Sequence, residues 1–204
     1  MLNEGVQHCF DRSRRTGTLL AAEALGVAAV KDGLNVRVSE IHGMAQRGGT
    51  VVSTVRIGEN VLASTVLEGQ ADILLGFEPL ETLRSLKYAS EKTLVLMNTE
   101  RIAPTELAAK NLQYPDVEEI VRKIRSFTQK VMLVDASKLA KKAGSSLAQN
   151  VVLLGALAGT RLLPVKTGSL VSAVKELVPQ NHLDTNIKAF ELGCASVEET
   201  EEKT

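Results

Sequence analysis

Three short apolar runs do most to limit what this chain can fold into. They lie at 71–77, 93–97 and 130–134. Each has the length of a strand, is too short for a buried helix, and is bounded by Gly, Asn, Asp or charged residues. Their nearly continuous apolar character, rather than alternation, marks strands covered on both faces, as in parallel sheets. A helical pattern follows each run. Pro79 sits near the first turn of a segment reaching about Tyr88. An amphipathic stretch at 116–125 puts acids first and bases last, as the helix dipole favours. A third segment is capped by Asp135 and stopped by Gly144. Strand followed by helix, repeated, permits parallel strands joined by crossovers with helices on both faces.

The rest of the chain extends this pattern. An Ala-rich helix is expected at 18–30, ended by Asp32-Gly33, followed by strands at 36–39 and 51–57. Gly58-Glu59-Asn60 reads as a turn from which 61–64 pairs back, giving an antiparallel hairpin over 51–64. Helices are expected at 146–158, 169–177 and 181–192, with Gly193 as the final stop. Asn150, near the middle of the first of these, reads as a satisfied buried polar contact. Residues 194–204 form an acidic tail, expected to be solvated. With no internal repeat and no linker, residues 1–193 are expected to be one domain. The fold class is α/β: a three-layer αβα, Rossmann-like arrangement with a mostly parallel sheet and an antiparallel hairpin.

Composition narrows the function classes. Lys+Arg and Asp+Glu number 24 each in 204 residues, a net charge of zero. That argues against nucleic acid or an anionic membrane as partner. Aromatic residues make up 3% and Trp is absent, which removes stacking platforms for single strands. Cys9 and Cys194 are the only cysteines, too few for a Cys₄ zinc or iron–sulfur site. His8, His42 and His182 lack the spacing of a helical metal site. No apolar run approaches a membrane span. Two cysteines and no signal-peptide pattern lead us to expect a cytoplasmic protein.

One connection stands out chemically. Residues 40–50 join the strand at 36–39 to that at 51–57 and contain Gly43, Gly48 and Gly49. Gln46 and Arg47 are held between glycines that allow positive φ and close backbone approach. Arg47 supplies a permanent planar cation, and adjacent Gly48 and Gly49 can aim N–H groups at one anion. Gln46, Arg47, Gly48 and Gly49 are therefore candidates for anion binding or a subunit interface. A glycine-rich turn with one solvated Arg explains the same spacing. The loop leaves the carboxyl end of its strand, where open α/β sheets place their sites.

The segment 43–53 resembles the signature of the gamma-type domain of 2-oxoacid:ferredoxin oxidoreductases. The likeness continues through 69–81, and 150–159 is similar to that family's late helix. Residues 186–193 look most like the small (beta) subunit of indolepyruvate ferredoxin oxidoreductase. The resemblance covers 17 to about 193. It implies a subunit of an enzyme that oxidatively decarboxylates a 2-oxoacid, here an aryl pyruvate such as indolepyruvate, with coenzyme A. The products are an acyl-CoA, CO₂ and reduced ferredoxin. By the same resemblance, thiamine diphosphate, magnesium and [4Fe-4S] clusters belong to a large (alpha) subunit. This chain is expected to carry no cofactor and no catalytic residue, to be inactive alone, and to meet ferredoxin only through the holoenzyme. A gamma subunit for pyruvate or 2-oxoglutarate is the nearest alternative. A stand-alone nucleotide-binding Rossmann-like protein is another, although no acidic residue completes a dinucleotide fingerprint.

The first residues depart from the family. Its members open with a strand and a Gly-Val-Gly-Gly-Gln-Gly turn, whereas this chain has charges at Asp11, Arg12, Arg14 and Arg15. Three arginines ahead of a helix N-terminus oppose its dipole. Codons offer a reason. Arg14-Arg15-Thr16-Gly17 can be written CGG CGN ACA GGN, which one nucleotide later can read Gly-Gly-Gln-Gly. Cys9 through Ser13 can likewise read Val-Leu-Thr-Gly-Val. Residues 1–17 are thus expected to be a frame-shifted reading, and no role is given to their arginines.

Overall fold

The strand–helix alternation folds into a six-stranded sheet. The computed structural model describes residues 5–11, 17–42, 50–102 and 113–201. Strands β1 (Gly5–Asp11), β2 (Asn35–His42), β3 (Thr50–Gly58), β4 (Ala71–Gly76), β5 (Ala89–Asn98) and β6 (Val131–Val134) lie in the order β2-β3-β1-β4-β5-β6. β1, β4, β5 and β6 are mutually parallel, while β3 runs antiparallel to both its neighbours. β2 therefore points the same way as β1.

Helices cover both faces, which is why the central strands are apolar throughout. α1 (Gly17–Lys31), α4 (Ala136–Ala143), α5 (Gln149–Gly159), α6 (Thr167–Leu177) and α7 (Leu183–Glu201) share one core with Ile73, Leu75, Leu94 and Leu96. α2 (Pro79–Arg84) and α3 (Val117–Phe127) share the other with Leu74, Val95 and Met97. Successive residues of β4 and β5 thus enter opposite cores, as the two-residue strand period demands. Caps fall where the residue types place them. Asp116 accepts from the Glu118 N–H at 3.2 Å and Asp135 from the Lys138 N–H at 2.9 Å. Gly144 ends α4 at φ +116°, a conformation that disfavours any side chain.

Two expectations are corrected. Residues 61–64 do not pair back on 51–57 as a hairpin. Both edges of β3 are taken, by β2 through its register Arg37–Arg56 and by β1 through Gln7–Thr54. The antiparallel hairpin is instead β2–β3. With no ladder to join, 61–64 crosses the sheet face, where the Thr54 hydroxyl donates to the Ser64 carbonyl at 2.7 Å. Nor does Gly193 end the last helix, since α7 continues through it to Glu201. α7 packs so closely on α5 that a Cβ on Gly193 would lie 2.0 Å from the Val152 carbonyl oxygen. The glycine marks a helix contact rather than a stop. Among the described residues no helix is long and apolar enough to cross a membrane.

Candidate site at the carboxyl edge of the sheet

The parallel strands end together, and register fixes what lies beside them. Cys9 of β1 is opposite Val52 of β3 on one side and Gly76 of β4 on the other. Thr50, where the 43–49 connection enters β3, and Glu78, just past β4, therefore flank the same end of β1. Two strand spacings separate them, about 10 Å. The connections after β1, β2, β4 and β5 all leave this edge.

Glu78 is the least expected group there. It is fully buried, at 0% exposure, and caps α2. Its Oε2 accepts the Glu81 N–H at 2.9 Å and its Oε1 accepts the Tyr114 hydroxyl. The Tyr114 oxygen in turn accepts the Leu80 N–H at 3.2 Å. Burial pushes the Glu78 carboxyl above its ordinary range, against the Tyr114 hydroxyl and the Glu81 and Ile102 N–H groups, which pull it down. Burial, then the bond to Glu78, raises the Tyr114 hydroxyl as well and keeps it a donor. Tyr114 follows the 103–112 connection, so this carboxylate fastens its far end.

Asn98 does the same work at the end of β5. It is 1% exposed and uses its full bonding capacity. Its Nδ2 donates to the Phe77 carbonyl at 3.2 Å and to Gln149 Oε1 at 3.3 Å. Its Oδ1 accepts the Glu100 N–H at 3.3 Å and the Ala136 N–H at 3.2 Å. The ends of β4 and β5 and the starts of α4 and α5 are joined through this one amide. Gly76 completes the edge: a Cβ there would fall 1.9 Å from Thr82 Oγ1, which bonds the Glu78 carbonyl at 2.7 Å.

Gln46, Arg47, Gly48 and Gly49 lie outside the described residues, as do Arg12, Arg14 and Arg15. Their flanks are placed: His42 and Thr50 stand at the carboxyl edge, as the strand direction requires. Glu78, Asn98 and Tyr114 were not among the sequence candidates. The one available signal was a polar residue closing an apolar strand, at Asn98 and again at Glu78. Among the described residues no group of three or more His, Cys, Asp or Glu side chains could hold a metal ion. The polar groups described here are buried and bonded to one another, an arrangement that holds loops in place rather than exchanging protons with a substrate.

Fold and edge together define the class: a Rossmann-like αβα domain built to present loops where its strands end. The chain belongs to the pyruvate ferredoxin/flavodoxin oxidoreductase family, whose pattern matches residues 16–196. It is 42% identical over 184 residues to indolepyruvate oxidoreductase subunit IorB of Pyrococcus horikoshii, covering 90% of this chain and 91% of the relative. It is 27% identical over 175 residues to the pyruvate/ketoisovalerate oxidoreductases common subunit gamma of Pyrococcus abyssi, covering 85% and 86%. The gamma subunit of keto/oxoacid ferredoxin oxidoreductase from Geobacter sulfurreducens shares its fold with a TM-score of 0.67. That structure is 23% identical, over 95% of this chain and 99% of that one.

Proposed function

We propose that the chain is the small subunit of an indolepyruvate:ferredoxin oxidoreductase of the cytoplasm. The observation that carries this reading is the 42% identity to the IorB subunit, over 90% of this chain and 91% of that one, against 27% to the pyruvate/ketoisovalerate subunit. In such an enzyme, thiamine diphosphate with magnesium and [4Fe-4S] clusters on the large subunit supply decarboxylation and electron transfer. This chain's part is to hold its carboxyl-edge loops in a fixed shape. Asn98 and Glu78 lock the connections after β4 and β5. We assign Gln46, Arg47, Gly48 and Gly49 to the contact with the large subunit near its reacting centre. The position of their flanks supports this, and Arg47 brings a fixed cation to an enzyme whose substrates are anions.

Residues 1–17 are, on the same reading, a frame-shifted version of the family's strand and Gly-rich turn. The family match beginning at residue 16 supports it, because the residues ahead of that point are the ones that depart from the family.

The test is co-expression with a large subunit and an assay of ferredoxin reduction. The expected result is no activity from either chain alone and, from the pair, the highest kcat/KM with indolepyruvate. Ferredoxin reduction by this chain alone, or a preference of the pair for pyruvate or 2-oxoglutarate, refutes the reading.

A further inference from the structure

We infer that the open edge of β2 is a strand-docking site for the large subunit, and that the docked strand is apolar on one face and acidic on the other. This rests on the small-subunit reading and adds where and how the partner is held.

β2 is the terminal strand of the sheet and pairs only with β3. Among the described residues nothing pairs with its outer edge, so half of its N–H and C=O groups are available to another chain. Such an edge recruits an extended segment through main-chain hydrogen bonds, and the side chains flanking it set which segment fits.

The two sides of β2 differ in chemistry. Val36 and Val38 point toward α1 and, with Val27 and Val30, line a groove of about 730 Å³ between strand and helix. Val38 is 42% and Val30 66% exposed, so the groove presents bare apolar surface. The groove's charged rim is Glu23, Lys31, Glu40 and Glu176, of which Lys31 and Glu176 pair at 3.0 Å. On the opposite side Arg37 stands directly across from Arg56 of β3. Like charges so placed repel. Among the described residues each guanidinium reaches a carbonyl, Arg37 that of Val36 at 2.9 Å and Arg56 that of Ala63 at 3.3 Å. The ion pairs of Lys31, Arg84, Lys87 and Lys123 lie elsewhere.

A strand added to β2 alternates its side chains between these two sides. Apolar residues on one face enter the groove, and carboxylates on the other relieve the opposed arginines. β2 runs directly into the 43–49 connection assigned to the same partner.

The experiment uses the two-chain complex. Amide hydrogen exchange is followed over 35–42 in this chain alone and in the complex, and subunit affinity is measured for Arg37→Glu/Arg56→Glu and for Val38→Asp. The expected result is new protection of β2 amides in the complex and affinity lowered about tenfold or more by each variant. The double substitution Arg37→Lys/Arg56→Lys keeps most of the affinity. Unchanged exchange across α5 certifies that each variant is folded. If the wild-type chains do not assemble, the small-subunit reading falls and this site with it. If they assemble, but β2 exchange and variant affinities stay at wild-type values, the docking site alone is overturned. Concentration-dependent protection of β2 without the large subunit makes a second copy the occupant, and overturns it equally.

Discussion

Replacing Asn98 by Ala removes the one side chain that ties the carboxyl edge together. Four hydrogen bonds are lost, to Phe77, Gln149, Glu100 and Ala136. They are not equal. Gln149 and Glu100 are half-exposed and can turn to water, so each loss costs about 0.5–1 kcal/mol. Ala136 is fully buried, and its N–H belongs to the first turn of α4, where no helical carbonyl can accept it. Leaving that donor bare costs about 1–2 kcal/mol, and the Phe77 carbonyl adds about 1 kcal/mol. The expected total is about 3–5 kcal/mol, a large share of the stability of a single domain. Urea unfolding of the purified chain measures it as a lower midpoint at unchanged slope.

Asn98→Asp separates this account from a plain packing loss, because the shape is kept. Both donations, to Phe77 and Gln149, disappear at neutral pH. The introduced carboxyl is buried, so its pKa in the folded state lies above that in the unfolded state. Its contribution is then greatest below the unfolded pKa and declines as pH rises through the folded one. The gap between variant and wild type should close on acidification. A stability for Asn98→Ala within about 0.5 kcal/mol of wild type refutes the account. So does an Asp variant whose deficit does not change with pH.

Five more outcomes are expected. Gly193→Ala places a Cβ 2.0 Å from the Val152 carbonyl and should cost about 3 kcal/mol or more by urea unfolding. Gly168→Ala, with nothing within 4 Å, should be neutral or stabilising by up to about 1 kcal/mol. Because the folded pKa of Glu78 is raised, its contribution is full below the ordinary glutamate value and falls as pH rises through the raised one. Glu78→Gln should abolish that part of the pH profile, and Tyr114→Phe, which deletes a donor to the carboxylate, should move it to higher pH. Arg47→Ala should weaken association with the large subunit while this chain stays folded. Normal assembly with a raised KM for one anionic substrate assigns Arg47 to ligand, and no effect on either shows a solvated side chain. Peptide mapping of the native protein should yield an N-terminal peptide containing Gly-Gly-Gln-Gly, and recovery of peptides spanning Cys9 to Arg15 refutes the frame-shifted reading.

Much of this was open to inspection before any coordinates. The doubly buried strands were legible because Leu74 and Leu75, and Val95 and Leu96, are apolar on both sides of the period. The cap at Asp135 and the stop at Gly144 were legible because they act over three or four residues. Long-range facts were not. That 61–64 is not a strand depends on β1 having already taken the edge of β3. The meaning of Gly193 depends on α5, whose Val152 lies far away in sequence. The partner of Glu78 is Tyr114, 36 residues on, and no local pattern announces that pairing. Glycine spacing between two strand patterns marked the 43–49 loop, but Glu78 and Asn98 became visible only as members of a bonded edge.

The middle of the sheet explains how a frame-shifted N-terminus would still leave that edge in place. β3 and β4 each present an unpaired ladder toward the slot that β1 fills, and unpaired backbone groups there would cost several kcal/mol in all. What the slot requires of its occupant is a run of backbone donors and acceptors, which any sequence without proline supplies. Gly5–Asp11 contains none, so it can satisfy both ladders whatever its side chains. The register is then held from outside. Val55 and Ile57 must keep facing the core of α1, and Ile73 and Leu75 must face the same core. A slip of one residue in either strand would turn those faces to the wrong side. Thr50 and Gly76 are thereby fixed against one another through β1, not by it. The side chains of the strand, and the turn that follows it into α1, are where the family's own sequence would differ. The cost of a frame-shifted reading would accordingly appear as lost stability, with the register of Thr50 against the end of β4 preserved.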